Sequence, residues 1–296
     1  MELIAALLSA LLGLAQPWLA PGGRAGGNEV TLALEPAAPV ARLPLPPILG
    51  PSGTSHPLVV IDPGHGGHDP GAISPHDKQQ EKDVTLAVAR AIRDALLASG
   101  RVRVALTRNA DSFLVLRDRY QIARRLKADL FISIHADAAP NPGATGATIY
   151  TLSEVASDTE AAALAARENR VDIIGGEQAG VSDAGINRIL IDLAQRESMD
   201  VSARFAALLY REASPSVPFR PIYHSFAAFA VLKAPDVPSI LFECGYLTHD
   251  PDLAYISSAA GRRQIADGMR RAIEAHFARR IAGARIADRA ATAHTG

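Results

Sequence analysis

Three apolar runs in this chain stop abruptly at a chemically capable side chain. Leu58-Val59-Val60-Ile61 gives way to Asp62-Pro63-Gly64 and leads to His65, Leu130-Phe131-Ile132-Ser133-Ile134 delivers His135, and Ser239-Ile240-Leu241-Phe242 delivers Glu243. Short apolar runs of this kind read as strands buried on both faces. Pro63 and Gly64 break the first, which places His65 in the loop at the strand's carboxyl end. Between the runs the apolar period changes. Val84, Val88, Ile92 and Leu96 form one stripe of a helix over residues 84–99, with Asp83 as a natural N-cap and Gly100 as a natural stop. Residues 101–107 alternate as a second strand, with Arg108 and Asp111 in the loop beyond. A helix over 114–127 precedes the His135 strand, and Gly146-Ala147-Thr148-Ile149-Tyr150 reads as a further strand. Strand and helix in alternation predict an α/β fold with a parallel-rich sheet covered on both faces. Such sheets hold ligands at the carboxyl ends of their strands.

The pattern then turns helical over 157–213, in two pieces (158–174 and 186–213) separated by Gly175-Gly176 and Gly180. The first piece is rich in alanine and weakly amphipathic, as suits a helix lying over something. Strand signals return at Phe229-Ala230-Val231-Leu232 and at the Glu243 run. A closing helix over 259–279 carries Ile265, Met269, Ile273 and Phe277 at spacings of four, and residues 281–296 read as a frayed tail.

Composition changes the picture mainly at the amino end. Residues 16–57 hold nine of the twenty prolines, so 21–57 reads as an extended linker. Its one apolar run, 30–34, has no strand partner nearby, and the folded domain is expected to span 58–280. Residues 3–14 are almost unbroken apolar sequence, too short to span a bilayer and suited to the core of a signal peptide within 1–20. Gly13-Leu14-Ala15 offers a small-x-small cleavage pattern, although the first basic residue is Arg24 and a basic leading region is lacking. The expectation is export, to the periplasm or beyond. Thirty basic against thirty-one acidic residues give a net charge of -1, so no overall field draws the protein to nucleic acid or into an anionic membrane. The single cysteine, Cys244, excludes an internal disulfide and a cysteine-rich metal cluster, and reads as a packing residue.

His65, Glu81 and His135 are residue types that bind zinc, and three protein ligands with an open fourth position make a catalytic arrangement. Their separations match no short local motif; the warrant is two strand ends and a helix start facing one crevice. In such a site zinc lowers the pKa of water from about 15.7 to about 7. Glu243, at a neighbouring strand end, is placed to take that water's proton and pass it to a leaving amine. Taken singly, each histidine also reads as a hydrogen-bonded loop residue, and Glu81 as a solvated acid beside Lys82 and Asp83. Glu243, directly after Ile-Leu-Phe, is expected to be partly buried and to need a partner. Arg108 is expected to pair with Asp111 rather than to orient a substrate carboxylate. His56, His68, His76, His224 and His249 receive no role, and Gly64, Gly66 and Gly67 without a lysine make a weak phosphate cradle.

From about residue 58 to 277 the chain resembles the zinc-dependent N-acetylmuramoyl-L-alanine amidases of bacterial cell walls. The resemblance is carried by Val60-Ile61-Asp62-Pro63-Gly64-His65-Gly66-Gly67, Gln80-Glu81-Lys82-Asp83, Leu106-Thr107-Arg108, Phe131-Ile132-Ser133-Ile134-His135-Ala136-Asp137, Val231-Leu232-Lys233-Ala234-Pro235 and Glu243-Cys244-Gly245-Tyr246-Leu247. It implies one zinc held by His65, Glu81 and His135, with Glu243 catalytic, in a six-stranded sheet flanked by helices. It also implies cleavage of the amide between the lactyl group of N-acetylmuramic acid and the L-alanine of the stem peptide in peptidoglycan. The 157–213 region is similar to the insertion of cell-separating amidases, in which a helix plugs the site until an activator displaces it. Ala166-Arg167-Glu168-Asn169 and Ile173-Ile174-Gly175-Gly176 carry that similarity, and imply that Glu168 fills the open zinc position and that an activator protein displaces 157–180. On sequence alone Glu168 reads equally as an exposed helix glutamate. The chain departs from the family in three places. The proline-rich stretch stands where a separate N-terminal β domain often targets these amidases, Asp137 stands where asparagine is common, and His249 stands where asparagine is expected.

The site residues and the loop after Gly67 speak against two other classes. A catalytically silent wall-binding relative should have lost at least one of His65, Glu81, His135 and Glu243, and all are present. A nucleotide binder should run a glycine-rich turn straight into a helix, whereas a long polar loop follows Gly67. A zinc hydrolase of another N-acyl amide stays open, because metal chemistry does not name its substrate.

Overall fold

Six strands form one sheet in the order β2-β1-β3-β6-β4-β5. The structure is a computed structural model that describes residues 44–139, 143–170 and 185–293. The expected signal segment, the linker up to residue 43, and residues 171–184 with their glycines lie outside the described residues. The strands are β1 (Leu58–Pro63), β2 (Arg103–Leu106), β3 (Leu130–His135), β4 (Ala147–Leu152), β5 (Phe219–Ala227) and β6 (Ser239–Glu243). The helices are α1 (Glu81–Ser99), α2 (Leu116–Arg125), α3 (Thr159–Glu168), α4 (Gly185–Ala213), α5 (Asp250–Ser257) and α6 (Ala259–Ala293). Only the β4–β6 pair is antiparallel, so the sheet is mostly parallel, as expected.

The apolar alternation in the strands serves two cores. Val59, Ile61, Ile132, Ile134, Ile240 and Phe242 face α1, α4 and α6, while Leu58, Val60, Phe131 and Leu241 face α2 and α3. The helix stripes meet the first of these cores: Val88, Ile92, Leu96, Met269 and Ile273 have no exposed surface.

Several boundaries differ from the sequence reading. α1 starts at Glu81, with Gln80 and not Asp83 at its N-cap, and no side chain caps it. The run at 229–232 is a 3-10 turn (Ala230–Leu232) rather than a strand. The strand in this region is β5, an edge strand whose Arg, Pro and His residues hide its pattern. The closing helix continues to Ala293 instead of stopping near 279. Part of the linker is drawn onto the sheet: Leu49 exchanges backbone hydrogen bonds of 2.8 and 2.9 Å with Val104, covering the open edge of β2. The 157–213 region does not lie over the site as a whole. α3 does, whereas α4 packs Phe205, Ala206 and Leu209 into the core on the other side of the sheet. Among the described residues no helix is long and apolar enough to cross a membrane.

Candidate metal centre

β1, β3 and β6 lie side by side and in parallel, so their carboxyl ends deliver His65, His135 and Glu243 to one edge. His135 and Glu243 are direct register partners. β1 ends at Pro63-Gly64, and Gly64 passes so close to β3 that a Cβ on it would sit 2.5 Å from His135 Cε1. The chain then turns through His65, a non-glycine residue at φ 59°, an uncommon backbone state that the surroundings must hold. Arg119 does so. Buried in α2, it donates to the carbonyls of Pro63 (2.8 Å), His65 (2.9 Å) and Leu114 (2.9 Å) and pairs with Asp62 at 3.1 Å. Asp62 also accepts from Thr107 and Ser133, which satisfies an acid inside an otherwise apolar strand.

Asp69 fixes the His65 ring by a 2.8 Å bond to Nδ1, leaving Nε2 to face inward. Glu81, in the first turn of α1, straddles both imidazoles: Oε2 lies 3.1 Å from His65 Nε2 and Oε1 lies 3.1 Å from His135 Nδ1. Its oxygens also accept from the backbone of Ala72 (2.8 Å) and Ala136 (2.9 Å). Those bonds fix the carboxylate between the two rings. Glu168, at the last turn of α3, brings Oε2 to 3.6 Å from His65 Nε2 and 3.4 Å from His135 Nδ1. It is buried, which removes the reading of an exposed helix glutamate. His65, His135 and Glu168 together form a buried group able to hold a metal ion.

The residues fit such an ion. Ligands about 2.0–2.1 Å from a tetrahedral centre stand roughly 3.3 Å apart, and the four approaches here run from 3.1 to 3.6 Å. Among the described residues, His65 Nε2 is buried without a hydrogen-bond partner. Glu81, Glu168, Asp137 and Glu243 are all buried within this one edge of the sheet, and buried carboxylates demand a compensating cation.

The electrostatics follow from that crowding. Burial would lower the His65 pKa, but Glu81, Asp69 and Glu168 more than offset it and hold the ring well above its ordinary range. Burial raises Glu81, yet His65 and His135 pull it well below the usual carboxylate range. Glu243 lacks such a partner. Burial, then the charges of Asp137, Glu81 and Glu168, push it well above the carboxylate range. Its Oε2 accepts from Asp137 N at 3.1 Å, and Oε1 has no hydrogen-bond partner. Asp137 is pushed up to about 8 by burial and Glu81, against the pull of Arg167.

α3 closes the site from above. Asp158 caps it by accepting from Ala161 N, Arg167 pairs with Asp137, and the Asn169 amide bonds Ala228 O and Ala230 N. The space left among His65, His135 and Glu168 is about 10 Å³, on the scale of a single water or ion.

Arg108 does not pair with Asp111. It is buried and donates to the carbonyls of Pro63, Gly64 and Lys82, while Asp111 pairs with Lys82; the guanidinium braces the His65 loop. His68 stacks on Phe113, His76 pairs with Asp250, His224 bonds Thr151 and His249 approaches Asp252, so none joins the centre. Cys244 is buried, and burial together with Glu243 raises its thiol pKa, as suits a packing residue. Asp69 and Arg119 carry no local signal in the sequence, whereas for Asp62 an acid directly after the apolar run 58–61 is a visible one.

An open, mostly parallel sheet with buried imidazoles and carboxylates at its carboxyl edge defines an α/β protein with a metal-binding pocket. Residues 59–275 match the N-acetylmuramoyl-L-alanine amidase family, and the chain belongs to it. It is similar to N-acetylmuramoyl-L-alanine amidase AmiA of Escherichia coli, with 38% identity over 221 residues that cover 74% of this chain and 76% of the relative. AmiC of Neisseria meningitidis is 36% identical over 261 residues, covering 86% of this chain and 62% of the relative. Among solved structures, AmiC2 of Nostoc punctiforme superposes with a TM-score of 0.53 at 28% identity, covering 76% of this chain and 99% of that one. The protein is a hydrolase, and the amide it cuts joins N-acetylmuramoyl to L-alanine in peptidoglycan.

Proposed function

We propose that His65, Glu81 and His135 hold one zinc ion, that Glu168 takes the fourth position at rest, and that Glu243 carries the proton. The observation that supports this reading is the approach of both Glu81 and Glu168 to each of the two imidazoles at 3.1–3.6 Å, with Glu243 in register beside them. Two imidazoles and a carboxylate favour zinc over harder cations. When bound, zinc supplies a Lewis acid that acidifies water and polarises the lactyl carbonyl. Glu243, whose Oε1 is unpartnered, takes the proton of the attacking water and returns it to the departing L-alanine nitrogen. Its raised affinity for protons lets it hold that proton between the two acts.

α3 must move for substrate to enter. We assign the segment 157–180 to regulation by an activator protein that displaces it. We assign 58–280 to the catalytic unit, 1–20 to a signal peptide and 21–57 to a linker whose Leu49 joins β2, with 281–296 as a tail that α6 enters as far as Ala293. The apolar segment 3–14 supports export to the periplasm, where peptidoglycan remodelling and daughter-cell separation would be the setting. Metal analysis of the full chain after zinc loading tests the ligand set. One zinc per chain is expected, lost in His65→Ala and His135→Ala without loss of secondary structure. Full zinc content in both variants would refute the assignment.

A further inference from the structure

Glu168 is not the only acid of α3 that engages the body of the protein. At the other end of the helix, Glu160 meets Arg220 as a fork, with oxygens 2.5 and 3.1 Å from the two terminal guanidinium nitrogens. Arg220, near the start of β5, is held from the other side as well. It donates to the Tyr246 hydroxyl at 2.8 Å and its guanidinium lies 5.8 Å from the centre of the Tyr246 ring. Tyr246 follows Glu243 by three residues and belongs to the sheet edge, so Arg220 keeps that support when α3 leaves. Between α3 and the sheet runs a cavity of about 250 Å³, lined by Asp137 at the Glu243 end and by Tyr150, Tyr246 and Glu160 beyond.

As a clasp for α3, the Glu160–Arg220 pair contributes little. Glu160 is half exposed, and an ion pair open to solvent holds weakly. A guanidinium already oriented by a tyrosine, and touching two residues that line this cavity, Glu160 and Tyr246, is better matched to a planar carboxylate of the substrate. We propose that Arg220 is the receptor for a carboxylate of the stem peptide, and that Glu160 stands in for that carboxylate while α3 covers the site. The proposal rests on the amidase reading. Eight residues of helix separate Glu160 from Glu168, about 12 Å of rise. An extended peptide covers that span in three or four residues at about 3.3–3.6 Å each. Arg220 therefore selects a free carboxylate on the third or fourth residue beyond the scissile amide.

The test uses the zinc-loaded full chain carrying Glu168→Ala, which opens the site, together with Glu160→Gln, which removes the stand-in, with and without Arg220→Gln or Arg220→Lys. Two synthetic N-acetylmuramoyl tetrapeptides serve as substrates, one with the carboxylates of its third and fourth residues free and one with them amidated. The protein carrying Glu168→Ala and Glu160→Gln is expected to favour the free form about tenfold in kcat/KM, through KM. Adding Arg220→Gln should bring the ratio to near one, and Arg220→Lys should restore part of it. A ratio that Arg220→Gln leaves unchanged, or an equal loss on both substrates, would overturn the proposal. Calorimetric binding of the free tetrapeptide separates the two layers. Arg220-dependent binding without cleavage would keep the receptor and sink the amidase reading, cleavage without Arg220 dependence would sink the receptor alone, and neither binding nor cleavage would sink both.

Discussion

Replacing Glu168 by alanine should switch the resting enzyme on. The carboxylate approaches His65 Nε2 at 3.6 Å and His135 Nδ1 at 3.4 Å from a buried position, and long ion-pair contacts of that kind fall between the roughly 1 kcal/mol of an exposed pair and the about 3–5 kcal/mol lost on breaking a fully buried one, about 1.5–3 kcal/mol. The other polar ties of α3 are weaker individually. Arg167 is partly exposed where it meets Asp137, which limits the pair to roughly 1 kcal/mol, and Asn169 adds two neutral hydrogen bonds of about 1 kcal/mol each. Removing the Glu168 carboxylate therefore moves the closed-to-open balance by roughly 10–100-fold. Basal release of dye-labelled fragments from purified peptidoglycan should rise by about tenfold or more, until the open form saturates. Arg167→Ala, by the same accounting, should raise it no more than about fivefold. An unchanged basal rate for Glu168→Ala at one zinc per chain would refute the plug, as would an Arg167→Ala protein more active than the Glu168 variant.

Asp69→Ala removes the bond that orients His65 and should weaken zinc binding by about 10–100-fold, read by competition with a chelating dye; unchanged affinity would count against that role. Arg119→Met strands the buried Asp62 carboxylate and should lower stability by about 3–5 kcal/mol, a Tm fall on the order of 10 °C, whereas a drop within error would show that the loop is held otherwise. The metal-free protein should lose stability as pH rises. Asp137, raised to about 8, Glu243 and His65 all bind protons more tightly folded than unfolded, so their contribution is complete below the unfolded values near 4 for the acids and 6.5 for histidine and drains away through about pH 8. Glu81, depressed by its histidines, acts in the opposite sense only below its ordinary value. Tm of the metal-free form should thus fall between about pH 5 and 8 and recover on adding zinc, and a flat or rising profile would contradict the account.

What the sequence made legible was the part governed by abrupt local contrast. An apolar run cut off by a histidine or glutamate announces a strand end, and β1, β3 and β6 carry their functional residues where that contrast placed them. Legibility failed where long-range partners decide. Arg108 has an acid three residues away, yet it turns to the carbonyls of the His65 loop, because buried carbonyls need donors and exposed Asp111 has Lys82 and the Gly67 amide. Arg119 meets Asp62 across 57 residues, a distance no local pattern spans. β5 escaped notice because an edge strand half open to solvent has no clean alternation. The four apolar residues at 229–232 were too short to distinguish a strand from a buried turn. Glu168 was named through resemblance, and its depth was beyond the sequence, since only the docking of α3 decides whether a helix glutamate faces water or imidazole.

The most direct test of the central claim is the chemistry of the ends that the zinc-loaded Glu168→Ala protein leaves on purified peptidoglycan. Mass spectrometry should find peptides with a new free L-alanine amine and glycan strands bearing intact lactyl carboxylates, and Glu243→Gln added to that protein should abolish both while retaining zinc. New reducing sugar ends, cuts elsewhere in the peptide, or full activity in the Glu243→Gln protein would contradict the account.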